Sequence, residues 1–138
     1  MLNQYLANIF ICKINLINLH FNVTGEGSTQ IHKDLNYDID KFNEFYNRVG
    51  EQIKKIGGYP IINLDEIKNI STIKLISSKD YTSKNTLSIV IHDLSIINNM
   101  NNQVGEYSLK NNDLGSINLT LDFNKYLNQR LYLLKMDN

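Results

Sequence analysis

The stretch HFNVTGEGSTQIH, His20 to His32, sets two of the chain's three histidines on either side of a Gly- and Thr-containing turn, with helix-patterned sequence before and after. Imidazole nitrogens bind first-row divalent ions, provided the ring is neutral. His20 falls near the C-terminus of the first patterned segment, where a protonated ring gains from the helix dipole, so an ordinary structural role accounts for it. His32 falls in the first turn of the next segment, facing the positive end of the dipole, which favours the neutral, metal-binding form. An antiparallel hairpin would bring both rings to one end of the molecule. Two neutral imidazoles joined by carboxylates suit Fe(II) or Zn(II).

Downstream of His32 the same helix carries Asn36, Asp40, Asn47 and Glu51. At roughly 100° per residue, His32, Asn36, Asn47, Asp40 and Glu51 fall at about 0°, 40°, 60°, 80° and 100°, one face of one helix. Such a row reads either as a solvated polar stripe or as a line of ligands. Spacing alone favours the stripe, and the paired histidines are what weigh toward ligands. The third histidine, His92 in LSIVIHDLSI, has at ligand spacing only the adjacent Asp93, which the helical period turns elsewhere; it reads as a packed or surface residue. Cys12, in IFICKINLINL, reads as a small buried side chain rather than a reactive thiol.

Four long segments must position these groups. Leu2, Tyr5, Leu6, Ile9, Cys12, Leu16 and Leu19 mark an amphipathic helix over about residues 2–21. Ser28 or Thr29 would cap a second helix with Ile31, Leu35, Phe42, Phe45, Val49, Ile53 and Ile56 inward, ending at Gly57-Gly58. A long loop follows, with one short helix starting near Asn63 or Leu64. The third long helix, about 83–107, has Leu87, Val90, Ile91, Leu94, Ile97 and Val104 inward, and the turn KNNDLGS leads to a fourth over about 115–136 with Leu119, Phe123, Tyr126, Leu127 and Leu134 inward. Four long helices with one long connection predict an all-α four-helix bundle.

At 138 residues the chain is expected to form one domain, 1–138. Fourteen basic against fourteen acidic residues give zero formal charge, which removes any bulk attraction to nucleic acid or anionic membrane. No stretch reaches the length of a membrane span, MLNQYLANIF lacks the features of a secretory leader, and the single cysteine fits a reducing compartment, so a cytoplasmic setting is expected. Lys54, Lys55, Lys68, Lys74, Lys79 and Lys84 read as solvated faces, and no phosphate loop, Ser-His-Asp set or zinc finger is present.

Taken together these segments resemble the Dps family of mini-ferritins, twelve-subunit iron-storing cages of bacteria, over nearly the whole chain. LNQYLANIFICKINLINLHFNVTG is similar to the family's first helix, with His20-Phe21 where a His-Trp pair is usual. IHKDLNYDIDKFNEFYNRVGEQIKKIGGYP resembles its second helix and glycine stop, LDEIKNI its short loop helix, and NNDLGSINLTLDFNKYLNQRLYLLKM its last turn and helix, with Tyr132 where a Trp is common. The resemblance implies a ferritin-like bundle with a short extra helix between helices 2 and 3, assembly into a homo-oligomeric dodecamer, and peroxide-driven oxidation of Fe(II) with storage of the ferric product. It further implies a metal site across a two-fold contact, with His20, His32 and Asn36 from one subunit and Asn47 and Glu51 from its partner, a site that Zn(II) would also fit.

The chain departs from the family at both amides, which are normally aspartates: two of three carboxylates are lost. At an effective dielectric near 20, a unit charge pair about 4 Å apart is worth roughly 4 kcal/mol, doubled for a divalent ion, before desolvation is subtracted. A single metal on His20, His32 and Glu51 is therefore expected more readily than two irons side by side. Asp40 is a candidate substitute ligand, with Asp34 and Asp38 less favourably directed. Asp113 falls where the resemblance would put an acidic pore residue, and equally where an ordinary turn aspartate would stand. DNA binding in that family relies on basic tails. With the first helix beginning at the second residue and the chain ending KMDN, no such tail is expected here.

Overall fold

Proline occurs only at Pro60, which leaves the four patterned stretches free to run as unbroken helices. In the computed structural model, which describes residues 1–137, they do so; Asn138, the last residue of the terminal KMDN, lies outside the described residues. The helices are α1 (Leu2–Asn22), α2 (Ser28–Lys55), α3 (Leu64–Ile70), α4 (Ser83–Lys110) and α5 (Leu114–Met136). α1 packs along α2 and α4 along α5, and contacts of α1 with α4 and of α2 with α5 close the bundle. The short α3 sits in the connection between α2 and α4 and packs on α1. Among the described residues no helix is long and apolar enough to cross a membrane.

The apolar period of each long helix becomes the core. Tyr5, Leu6, Ile9, Leu16 and Leu19 of α1 meet Leu35, Phe42 and Val49 of α2, Leu94 and Ile97 of α4, and Phe123 and Leu127 of α5, all essentially inaccessible. Burying each such side chain contributes about 1.5–3 kcal/mol. Cys12 is fully buried among them. Ile56 is not: it lies past the last turn of α2 and is exposed, because the helix stops one residue earlier and Gly57 turns the chain away at φ +93°.

Helix ends set the connections. α2 is capped not by Ser28 or Thr29 but by Gly27, whose φ of +80° lies in the left-handed region and lets the chain reverse tightly after α1. Asn63 caps α3, Thr82 caps α4 and Asp113 caps α5, each accepting a backbone N–H three residues on. Val23–Thr24 (β1) pairs in parallel with Tyr81–Thr82 (β2), in register Val23 with Tyr81, and the Ser83 hydroxyl donates to the Glu26 carbonyl. The turn between the histidines is thus stitched to the start of α4.

The long connection is held by an asparagine ladder on α1. Asn8 accepts the Thr72 backbone N–H at 2.8 Å and donates to the Thr72 hydroxyl at 2.9 Å. Asn15 donates to the Lys74 carbonyl and accepts from the Ile76 N–H, and Asn18 donates to the carbonyls of Ile76 and Ser77. Each amide offers both a donor and an acceptor, so it can satisfy a strand-like backbone running past a helix. Asn8 and Asn15 are buried because the loop covers them.

Candidate metal centre

The reversal at Gly25–Gly27 folds the last turn of α1 against the first turns of α2, and the two imidazoles stack with ring centroids 3.9 Å apart and planes 21° from parallel. Each ring reaches the other's main chain: His32 Nδ1 lies 2.8 Å from the His20 carbonyl oxygen, and His20 Nδ1 lies 3.3 Å from the His32 carbonyl oxygen. A carbonyl oxygen only accepts, so both Nδ1 atoms carry the proton and donate. The His20 carbonyl belongs to the last turn of α1 and has no intrahelical partner, so His32 caps α1 while it fixes its own tautomer. In the neutral rings both Nε2 atoms are left with a free lone pair, the atoms through which a metal would be held.

Among the described residues nothing else completes the site. Glu51 is nineteen residues beyond His32 on the same helix, roughly 28 Å away at about 1.5 Å per residue. Asn36, Asp40, Asn47 and Glu51 all lie on the exposed side of α2, as the helical wheel predicts. Asn47 and Glu51 border a cleft of about 250 Å³ together with Tyr46, Lys54 and Pro60. Among the described residues, no three His, Cys, Asp or Glu side chains gather at metal-binding spacing. The chain therefore presents two separate half-sites, the imidazole pair at one end of α2 and the Asn47–Glu51 cleft toward the other.

The neighbouring aspartates have different surroundings. Asp40 is exposed on the His32 face. Asp34 accepts from Gln30 at 2.9 Å. Asp38, considered from sequence as a weaker substitute ligand, is buried inside the bundle: Arg130 Nε donates to both its oxygens at 2.9 and 3.0 Å, and the Tyr126 hydroxyl donates at 2.6 Å. It does not face the stripe. Burial pushes the Asp38 carboxyl above its ordinary range, more than Arg130 and Tyr126 draw it down. Burial acts to lower Arg130 as well, but its hydrogen bonds to Asp38 and the charge of that carboxylate together hold the guanidinium above its usual value. The signal for this pair was present in the sequence, since position 38 falls between Leu35 and Phe42 on the apolar period.

Asp93 likewise does not turn away from His92. It is buried, and it accepts from His92 Nδ1 and from Asn15 Nδ2, each at 3.0 Å. Asp113 caps α5 through the Ser116 N–H and also accepts from the Ser116 hydroxyl and Gln52 Nε2.

Comparison with known proteins agrees with this architecture. The family model for the ferritin-like domain matches residues 1–135. The chain is 26% identical over 74 residues to an uncharacterised low temperature-induced protein of Nostoc sp., a stretch covering 54% of this chain and 41% of that protein. It is 22% identical over 87 residues to a DNA protection during starvation protein of Helicobacter pylori, covering 63% of this chain and 60% of that one. The matched stretches thus span from about two fifths to three fifths of the length of these curated relatives. Among solved structures, CAIP of Helicobacter cinaedi superposes with a TM-score of 0.94 at 21% identity, covering 99% of this chain and 95% of that one. A Dps protein of Vibrio cholerae O1, described as a member of a broad superfamily of ferritin-like diiron-carboxylate proteins, gives 0.93 at 17% identity, covering 98% and 84%. With its five helices, its family match over almost the full length and its superposition on a Dps subunit, the chain belongs to the ferritin-like family and has the fold of the Dps proteins.

Proposed function

We propose that this protein is a Dps-like mini-ferritin that assembles into a hollow dodecamer, takes up Fe(II), promotes its oxidation by peroxide and stores the ferric product, with a metal site weakened by Asn36 and Asn47. The observation that carries this reading is the imidazole pair. Reciprocal Nδ1–H bonds leave both Nε2 atoms free at a surface, which is what a metal shared with a second subunit requires. The two half-sites lie about 28 Å apart on one helix, and a second copy running antiparallel would bring the partner subunit's Asn47 and Glu51 to His20, His32 and Asn36. Zn(II) fits the same donors.

At that seam one carboxylate, two imidazoles and two neutral amides would face the metal, and Lys54 borders the same cleft as Glu51. Each lost carboxylate weakens the hold on a divalent ion and weakens it more for the ferric product, so oxidation should be slow rather than absent. The same depletion favours a second reading, a cage that has kept its architecture and lost the ferroxidase step. Asp40, exposed on the His32 face, is the carboxylate proposed to compensate, and Asp113 is proposed as a pore residue in addition to its capping role.

Stopped-flow absorbance of the ferric product, after Fe(II) and then peroxide are added, tests this beside the Asn36→Asp/Asn47→Asp double variant. The iron-storage reading expects a measurable parent rate that the double variant raises at least tenfold, the factor that 1.4 kcal/mol supplies. A parent no faster than the His20→Ala/His32→Ala variant, in an intact dodecamer, would establish the non-catalytic cage instead.

A further inference from the structure

Tyr126 is 7% exposed, yet it is one step from the surface: its ring centroid lies 6.0 Å from that of Tyr37, which is 54% exposed on α2. Its hydroxyl donates to Asp38 at 2.6 Å, and Arg130 Nε binds both oxygens of that carboxylate from the other side. The chain contains no tryptophan, so tyrosines are its most readily oxidised aromatic side chains. A phenol that loses an electron becomes strongly acidic and must also lose its proton. The buried hydroxyls of Tyr5 and Tyr81 donate to an amide and a carbonyl oxygen, which are poor bases, whereas that of Tyr126 donates in a short hydrogen bond to a carboxylate able to take the proton. Tyr37 borders an open cleft of about 310 Å³ with Arg130 and Met136, where a small diffusing oxidant can reach it.

We infer that Tyr37, Tyr126 and Asp38 form a redox relay in which a one-electron oxidant, such as an oxygen-centred or azide radical, is quenched at the surface and the hole is stored on Tyr126. In the first step Tyr37 gives one electron to the oxidant and its phenolic proton to water. In the second an electron crosses from Tyr126 to the Tyr37 radical, Tyr37 recovers a proton from water, and the Tyr126 proton shifts to Asp38. A small thiol then returns the electron; the proton moves back from Asp38 to Tyr126, and the thiol leaves as a thiyl radical with its own proton released to water. Burial in the core shields the stored radical from water and from other radicals. The relay needs no metal, so it stands or falls separately from the iron reading.

Pulse radiolysis with azide radical on the metal-free protein tests it, followed through the tyrosyl absorption band and by freeze-quench electron paramagnetic resonance. The parent is expected to show a long-lived tyrosyl signal beside short-lived ones, its formation slowed in heavy water. Tyr126→Phe, shown to be folded by circular dichroism, should lose the long-lived component and keep the short-lived ones. Tyr37→Phe, at an exposed position that leaves the Asp38 bonds intact, should slow formation of that component. A parent without a long-lived signal, a Tyr126→Phe variant that retains it, or a Tyr37→Phe variant that forms it at the parent rate would each overturn the relay.

Discussion

His20 and His32 each donate a ring Nδ1–H to the other's backbone carbonyl, at 3.3 and 2.8 Å, across the turn that joins α1 to α2. The exchange ties the tautomers of both rings to the closure of the hairpin. Long-range proton–nitrogen NMR should find the proton of each neutral ring on Nδ1, and added Zn(II) should shift the Nε2 resonances more than those of Nδ1. An Nε2–H tautomer for either ring would contradict the geometry.

Buried charge makes Asp38 and Arg130 a second linchpin. Removing one partner leaves the other unpaired inside the bundle, so Arg130→Ala should cost about 3–5 kcal/mol. An Asp38→Leu/Arg130→Met double variant, which removes both charges and fills the space, should recover most of that loss. Urea unfolding measures both. A double variant no more stable than the single one would mean that packing, not charge, is what the pair supplies.

Sequence patterning made the helices and the core plain, because apolar residues at three- and four-residue spacing leave few ways to bury themselves. Leu35, Phe42, Phe45, Val49 and Ile53 on α2 are inward as the period requires. Helix ends were less legible: Gly27, not Ser28 or Thr29, caps α2, since the cap depends on a left-handed backbone angle that residue type alone does not impose. Of the candidate site, the convergence of His20 and His32 was readable from the hairpin, whereas the reciprocal bonds were not, because they depend on how closely the two helices approach. Asp38, Asn8 and Asn15 were visible as polar residues on apolar faces, but their partners lie 59 to 92 residues away and no local pattern names them.

The asparagine ladder should govern the long connection. Asn15 bonds Lys74, Ile76 and Asp93 at once, so Asn15→Ala should cost about 1–3 kcal/mol and leave buried groups unsatisfied. Limited proteolysis should then cut between residues 71 and 80 several-fold faster than in the parent. Unchanged cleavage would show that α3 and the β1–β2 pair hold the loop without it.

Asp93 gives a pH prediction. Burial first, against the pull of Asn15 and His92, raises its carboxyl above the ordinary value. A carboxyl raised on folding keeps its proton where the unfolded chain has released it. Its contribution to stability is therefore greatest below the unfolded value of about 3.9 and declines as pH rises from there through the folded value. His92→Ala removes one group that favours the ionised form, so it should raise the Asp93 carboxyl further and move that decline to higher pH. Carbon-detected titration of the Asp93 carboxyl in both proteins reads this directly, and an unmoved or lowered midpoint in His92→Ala would contradict it.

The charge-poor seam itself is tested most directly by anomalous scattering from crystals soaked in Fe(II) or Zn(II). The expected result is a single metal peak at a two-fold contact, against the Nε2 atoms of His20 and His32 and Glu51 of the partner subunit, with the second metal position vacant or weak. Two fully occupied iron positions at that seam, or no peak near either imidazole, would contradict it.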